Sequence, residues 1–137
     1  GIYPPVLMDR GLVAALESAG GRAALPVDVM GRDVGRFSQE VEAAVYFCCL
    51  EALQNAAKHA GDHAHIELTL AREGDRLRFA IADDGAGFDS DLRPNGDGFD
   101  NMRDRLGAAG GTLAIDSRLG SGTTVAGWLP VTPIFGR

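Results

Sequence analysis

The sequence predicts an α+β fold, a two-layer sandwich in which a mixed, mostly antiparallel sheet is covered on one face by helices. Segments with helical spacing and segments with strand alternation follow the order helix, strand, helix, strand, strand, helix, strand, strand. Short turns separate the two adjacent strand pairs, which is typical of antiparallel hairpins. Apolar residues fall on one face of each strand, so one face of the sheet should pack against the helices.

The composition indicates one domain. The 137 residues are 45% hydrophobic and 23% charged, which suits a single soluble domain with one core. A formal net charge of −6 argues against general nucleic-acid binding and against binding to anionic membranes. The chain has no apolar run of the roughly 18 residues that a membrane span needs, and its start lacks a signal-peptide profile. We therefore expect a cytoplasmic segment without membrane contact.

The first half of the chain predicts two helices and an edge strand. A short helix covers residues 11–19 and is ended by a glycine pair. Residues 22–30 alternate in polarity, and the internal Pro26 favours an edge strand or a strand end. Residues 38–60 contain neither proline nor glycine, so they predict one long helix with Ser38 as its N-cap.

The second half predicts two hairpins with a loop and a helix between them. The strands of the first hairpin are residues 65–71 and 76–82, and those of the second are residues 112–117 and 123–130. The stretch after the first hairpin is too rich in glycine and aspartate for regular structure. Residues 99–109 then predict a helix, which another glycine pair ends.

The cysteines and the paired histidines do not indicate a structural metal site. Cys48 and Cys49 are adjacent in an apolar run, which predicts reduced core thiols rather than a disulfide. His63 and His65 form an HxH pattern at the start of a strand. Because no third ligand accompanies them, we interpret these histidines as surface residues.

The long helix carries a concentrated polar stripe in the segment "EALQNAAKHA". At 100° per residue Glu51, Asn55 and Lys58 share one face, with His59 a little further round. One interpretation is a solvated face stabilised by an i,i+4 pair. The other follows from Asn55, a poor helix former whose amide oxygen beside an acid suits a hard cation such as Mg²⁺.

Glycines flank an aspartate directly after the strand "RFAIA", in the segment "DDGAGFD". A tight turn would explain this composition by itself. As a binding site, Gly85 and Gly87 would let a planar ligand lie against bare backbone, and Asp83 would accept a hydrogen bond from an exocyclic amine.

Two further glycine patterns are weaker signals. Gly96 and Gly98 precede a helix whose N-terminal amides would favour phosphate. Gly120 and Gly122 suit a hairpin turn, after which the Thr123 hydroxyl is available to a ligand.

The order and spacing of these patterns resemble a known family. A helical ExxxNxxKH, DxGxG after a strand, GxG before a helix and GxGT before a last strand are similar to the N, G1 and G2 boxes of the GHKL (Bergerat) ATP-binding fold. The chain looks like the catalytic domain of a bacterial sensor histidine kinase, in the subgroup whose dimerisation domain resembles that of nitrate and desaturase-regulating sensors. "MRDRLGAAGGTLAIDSRLGSGTTVAGWLP" matches that subgroup's helix and final hairpin. Residues 1–20 would be the junction with the dimerisation domain, and residues 21–137 the ATP-binding domain.

The resemblance implies roles on the long helix for the metal, the phosphates and the acceptor. Asn55 would coordinate the Mg²⁺ that bridges the ATP phosphates, and Glu51 would orient the acceptor histidine or help to deprotonate it. Lys58 and His59 would lie near the phosphates. Arg103 or Arg105 would help Mg²⁺ to offset the charge of the triphosphate.

The resemblance also implies contacts to the rest of the nucleotide. Asp83 would bind the adenine N6 amine, with Thr123 supporting the base through Asp83 and a bridging water. The other expected positions are Gly85 and Gly87 beneath base and ribose, Gly96 and Gly98 at the hinge of an ATP lid over residues 88–97, and Phe99 and Gly122 as further nucleotide contacts.

The activity implied is that of a protein histidine kinase, which transfers the γ-phosphate of ATP to a histidine on a separate dimerisation domain and thereby acts on a response regulator. None of His59, His63 and His65 lies in the acidic helical context of a phosphoacceptor, so a catalytic domain alone is expected. Two alternatives remain: a GHKL serine kinase of the anti-sigma type, and a nucleotide-binding module without phosphotransfer.

Overall fold

The computed structural model describes residues 3–32, 34–89 and 98–132. Its elements, in chain order, are α1 Pro5–Arg10, α2 Leu12–Gly21, β1 Val27–Arg32, α3 Gln39–His59, β2 Ile66–Glu73, β3 Arg76–Asp83, α4 Phe99–Ala108, β4 Thr112–Ser117 and β5 Thr123–Pro130. None of the helices in these ranges has the length and apolar character needed to cross a bilayer.

The five strands form one sheet in the order β1-β2-β3-β5-β4. β1 pairs with β2 in parallel, and the other three pairings are antiparallel. The predicted α+β sandwich with a mixed, mostly antiparallel sheet is therefore confirmed, and β1 lies at the edge as Pro26 indicates. Because the Pro26 carbonyl already accepts from the Ile66 amide at 2.9 Å, the strand pairing begins there rather than at residue 22.

The core lies between the helices and the inward face of the sheet. Alternate residues of the first hairpin are buried: Ile66, Leu68 and Leu70 of β2, and Leu77, Phe79 and Ile81 of β3. Helix α3 contributes the buried and unbridged Cys48 and Cys49, which confirms the predicted core thiols. Burial raises the pKa of the Cys48 thiol to about 12, so the thiol stays protonated at neutral pH.

Helix α3 begins where the sequence predicts. The hydroxyl of Ser38 accepts from the amide of Val41 at 3.3 Å, which satisfies one of the free donors of the first turn. The helix places its second half against the sheet, next to the ends of β3 and β5.

Helix α1 is not among the elements that the sequence predicts. Its carboxyl end is held by Arg36, whose guanidinium donates to the carbonyls of Leu7 at 3.3 Å and Met8 at 2.8 Å. Arg36 also pairs with Glu42 of α3 at 2.9 Å, and this carboxylate is almost completely buried. The pair therefore ties α1 to the first turn of α3.

Candidate functional site

A pocket opens between the second half of α3 and the adjacent ends of β3 and β5. It has a volume of about 420 Å³ including its open mouth. Half of its lining consists of residues that the sequence predicts as site residues: Asn55, His59, Asp83, Gly87, Phe99 and Thr123. The amide of Asn55 and the carboxylate of Asp83 thus belong to one cavity, which is the arrangement that a shared ligand requires.

Asp83 is the last residue of β3, and its side chain is fixed by backbone donors. Oδ1 accepts from the amide of Gly85 at 2.9 Å and from the amide of Thr123 at 3.3 Å. Among residues 3–32, 34–89 and 98–132, the carboxylate makes these two hydrogen bonds, and both are to Oδ1. Oδ2 therefore retains its capacity to accept from a ligand.

Ser117, the last residue of β4, is a part of the site that the sequence reasoning missed. The residue is buried, and its Oγ accepts from the amide of Phe88 at 2.8 Å. The same hydroxyl donates to the carbonyl of Gly122 at 3.2 Å and lies 2.7 Å from the hydroxyl of Thr123. The sequence offers little signal for it beyond a serine three residues before the GxGT pattern, because its partners come from separate segments.

The glycines of the site allow backbone segments to approach one another closely. A Cβ on Gly87 would meet the carbonyl of Arg118, and one on Gly122 would meet the carbonyl of Asp83. The bare side of Gly85 faces the backbone of Ala60 at the end of α3, and Gly85 does not line the pocket. Close packing of the backbone is thus a sufficient reason for glycine at these positions, even without a ligand. The contacts of these glycines with a nucleotide stay a prediction.

The residues of the polar stripe of α3 do not all face the pocket. Asn55 is buried and His59 is exposed, and both line the pocket. Glu51 is half-buried and instead lines a neighbouring groove, beside the start of α4. A Cβ on Gly98 would lie 2.5 Å from Oε2 of Glu51, so the end of this carboxylate lies close to the backbone of Gly98. Lys58 is exposed and does not contribute to the pocket lining.

The start of α4 forms another wall of the pocket. Gly98 has a φ of 76° at the N-cap, and the buried Phe99 lines the cavity. The rings of Phe88 and Phe99 lie 6.1 Å apart between centroids. Gly96 lies outside the described residues, as does most of the predicted ATP lid.

Basic groups are scarce at the pocket. No lysine or arginine lines it among the described residues. Arg105 instead stacks over the ring of Phe47, 3.9 Å from its centroid, and lines the neighbouring groove.

The paired histidines lie away from the pocket. His65 Nε2 lies 3.0 Å from Asp28 Oδ2, and this hydrogen bond raises the pKa of His65. No cluster of three or more potential metal-ligating side chains occurs in the part of the chain that the structure describes.

Comparison with known proteins identifies the family. Residues 40–133 match the family of histidine kinase-, DNA gyrase B- and HSP90-like ATPases. The chain belongs to this family. The matched segment contains all of the pocket, so the pocket lies within a domain of the ATP-binding type.

Two sequence relatives are histidine kinases by name. The chain is 33% identical over 98 residues to the signal transduction histidine-protein kinase/phosphatase DegS of Brevibacillus brevis, which covers 71% of the chain and 25% of that protein. It is 32% identical to an uncharacterized sensor-like histidine kinase of Chloroflexus aurantiacus, over 95% of the chain and 24% of that protein. The chain thus spans about a quarter of the length of these relatives.

Solved structures of histidine kinase domains share the fold of this ATPase domain. The histidine kinase domain of the blue-light activated kinase from Erythrobacter litoralis superposes with a TM-score of 0.69 at 24% identity, over 87% of this chain and 61% of that one. The catalytic domain of histidine kinase ThkA superposes with a TM-score of 0.66 at 16% identity, over 90% and 92% of the two chains. The chain therefore has the fold of a histidine kinase ATP-binding domain.

Proposed function

We propose that this chain is the catalytic domain of a sensor histidine kinase of the nitrate- and desaturase-sensor subgroup. It binds ATP with Mg²⁺ and transfers the γ-phosphate to a histidine on a separate dimerisation domain, from which a response regulator is phosphorylated in the cytoplasm. Residues 1–20 would join the two domains. The observation that carries this proposal is that Asn55 and Asp83 line one cavity within an ATPase-family domain.

The adenine end of the proposed site is centred on Asp83. Its Oδ1 is held by backbone amides, and its Oδ2 is available to accept from the exocyclic amine of adenine. The apolar residues Ile81 and Val125 line the same cavity and offer a surface for the base. Asp83 is half-buried, and an acceptor at this position favours adenine over guanine, because guanine carries a carbonyl at the corresponding carbon. Gly85, Gly87 and Gly122 would hold the surrounding backbone against base and ribose.

The phosphate end of the proposed site lies along α3. The donor set fits Mg²⁺: Asn55 offers an amide oxygen from a rigid helix, and among the described residues no lysine or arginine lines the pocket. Bound Mg²⁺ would neutralise charge on the triphosphate. His59 would contact the phosphates from the same helix, with Lys58 nearby. Phe99 and the hinge glycines Gly96 and Gly98 would close the site on its open side.

Glu51 is proposed to act on the acceptor rather than on the nucleotide. It lines the groove beside the pocket, so an acceptor imidazole in the groove would meet both the carboxylate and the γ-phosphate. The bond from the γ-phosphorus to the oxygen of ADP breaks as the bond to the imidazole nitrogen forms. Glu51 orients the imidazole and accepts the proton that leaves its nitrogen.

Labelled phosphate transfer tests the proposal. The chain is incubated with γ-labelled ATP, Mg²⁺ and a separately purified dimerisation domain of this kinase subgroup, and the label is assayed for acid lability, which marks phosphohistidine. Wild-type protein should label the acceptor, and Glu51→Gln should bind ATP normally but label it at least about tenfold more slowly. Acid-stable label would indicate a serine kinase, and bound nucleotide without label would indicate a module that only binds ATP.

A further inference from the structure

Ser117 connects three segments that surround the pocket. It ends β4, and its buried hydroxyl contacts the amide of Phe88, the carbonyl of Gly122 and the hydroxyl of Thr123. Of these partners, Phe88 and Thr123 line the pocket and Ser117 itself does not. Its effect on a ligand would therefore be indirect, through the groups that it holds.

One arrangement of protons satisfies these three contacts of Ser117 at the same time. The amide of Phe88 can only donate, and the carbonyl of Gly122 can only accept. In that arrangement the single proton of Ser117 is directed to Gly122. The contact of 2.7 Å with Thr123, in which either hydroxyl can be the donor, then uses the proton of Thr123, with Ser117 as acceptor.

A threonine whose proton is engaged in this way offers only lone pairs to the pocket. The amide of Thr123 also donates to Asp83 Oδ1 at 3.3 Å, so its backbone is held at the proposed adenine-binding carboxylate. Asp83 and Thr123 therefore both present acceptors at this end of the cavity. Acceptors favour a ligand edge that carries N–H donors, either directly or through a water that donates to them.

We propose that Ser117 is a positioning residue for purine selectivity. It engages the proton of Thr123, and the pocket consequently favours a purine with an amine at C6 over one with a carbonyl there. This inference rests on the proposed function, because it takes the pocket to bind an adenine nucleotide. Without Ser117, the hydroxyl of Thr123 would be able to rotate and donate to a carbonyl.

The test compares ADP with inosine diphosphate, which carries a carbonyl at C6, by calorimetric titration into the full chain with Mg²⁺. Ser117→Ala should narrow the ratio of the two dissociation constants by about three- to tenfold, the effect of one hydrogen bond. Ser117→Thr, which keeps a hydroxyl, should preserve the ratio. Ser121→Ala is the matched control, because Ser121 lies exposed in the same hairpin turn.

A double-variant cycle separates positioning from general support of the fold. In a Thr123→Val background, Ser117→Ala should leave the ratio unchanged, because the hydroxyl through which it acts is absent. If the alanine variant does not fold, the measurement is repeated with Ser117→Cys, because cysteine is nearly the same size as serine and forms only weak hydrogen bonds. The inference would be overturned if the ratio of the two dissociation constants were unchanged in Ser117→Ala and Ser117→Cys. It would also be overturned if Ser117→Ala narrowed that ratio equally in the wild-type and the Thr123→Val backgrounds. A wild-type chain that binds neither nucleotide would overturn the proposed function instead.

Discussion

The substitution Asp83→Asn tests the adenine-binding end of the pocket with little change of shape. Asparagine keeps a carbonyl oxygen that can accept from the amides of Gly85 and Thr123, which now bond to Oδ1 at 2.9 and 3.3 Å. The other position, however, becomes an NH₂ group. It would face the N6 amine of adenine, so a donor would meet a donor.

The expected loss follows from this exchange. A hydrogen bond to a charged acceptor contributes about 1.5–3 kcal/mol, which corresponds to roughly a 10- to 150-fold weaker affinity for ADP. The free energy of unfolding should change by less than about 1 kcal/mol, because both backbone bonds persist. Calorimetric titration with ADP and Mg²⁺ measures the first quantity, and urea denaturation measures the second.

Asp84→Asn is the matched control for Asp83→Asn. Asp84 is the next residue, and its Oδ1 accepts from the amide of His65 at 2.6 Å, outside the pocket lining. The control removes the same formal charge and should leave the affinity for ADP within about threefold of wild type, since exposed charges interact weakly through water. Equal losses in both variants would mean that net charge, and not the oxygen of Asp83, determines binding. No loss in Asp83→Asn would refute the assignment.

Three further substitutions test other parts of the account. Asn55→Ala should remove most of the gain in ADP affinity that Mg²⁺ gives, and should leave the affinity without Mg²⁺ within about threefold of wild type. Titrations of ADP with Mg²⁺ and with a chelator measure both affinities. Gly122→Ala should lower the midpoint of thermal unfolding by roughly 4 °C or more, because φ is 78° and the new Cβ would meet the Asp83 carbonyl. Gly120→Ala is the control: its φ is 80° but its Cβ would enter open space, so the midpoint should fall by less. Glu42→Gln should lower the free energy of unfolding, measured in urea, by about 1–2 kcal/mol. The reason is that it weakens the pair with Arg36, whose side chain is 42% exposed. An unchanged urea midpoint would mean that the pair contributes nothing to stability.

Local patterns were sufficient to predict the elements that depend on local rules. The two hairpins follow from alternation and turn residues, and α3 follows from a stretch without proline or glycine and from the Ser38 cap. Helix α1 escaped prediction because it has only 6 residues and depends on Arg36, 26 positions after its last residue, to hold its end. A helix this short is unstable without such tertiary contacts.

The candidate site was predictable where its chemistry follows the order of motifs along the chain. Asn55 and Asp83 were identified in this way, and they do line one cavity. Ser117 was not, because its role depends on the β4–β5 pairing and on Phe88 from another segment. The close approach of Gly85 to Ala60 was also beyond reach, since only the folded chain brings the end of α3 against this loop.

The central claim is that one pocket binds a purine nucleotide together with Mg²⁺. Titration of ADP into the intact chain, first with excess Mg²⁺ and then with a chelator, tests it most directly. The account predicts a single site per chain whose affinity falls at least about tenfold when Mg²⁺ is removed, because Mg²⁺ held at Asn55 would offset the charge of the phosphates. Absence of binding, or an affinity that does not depend on Mg²⁺, would contradict the account.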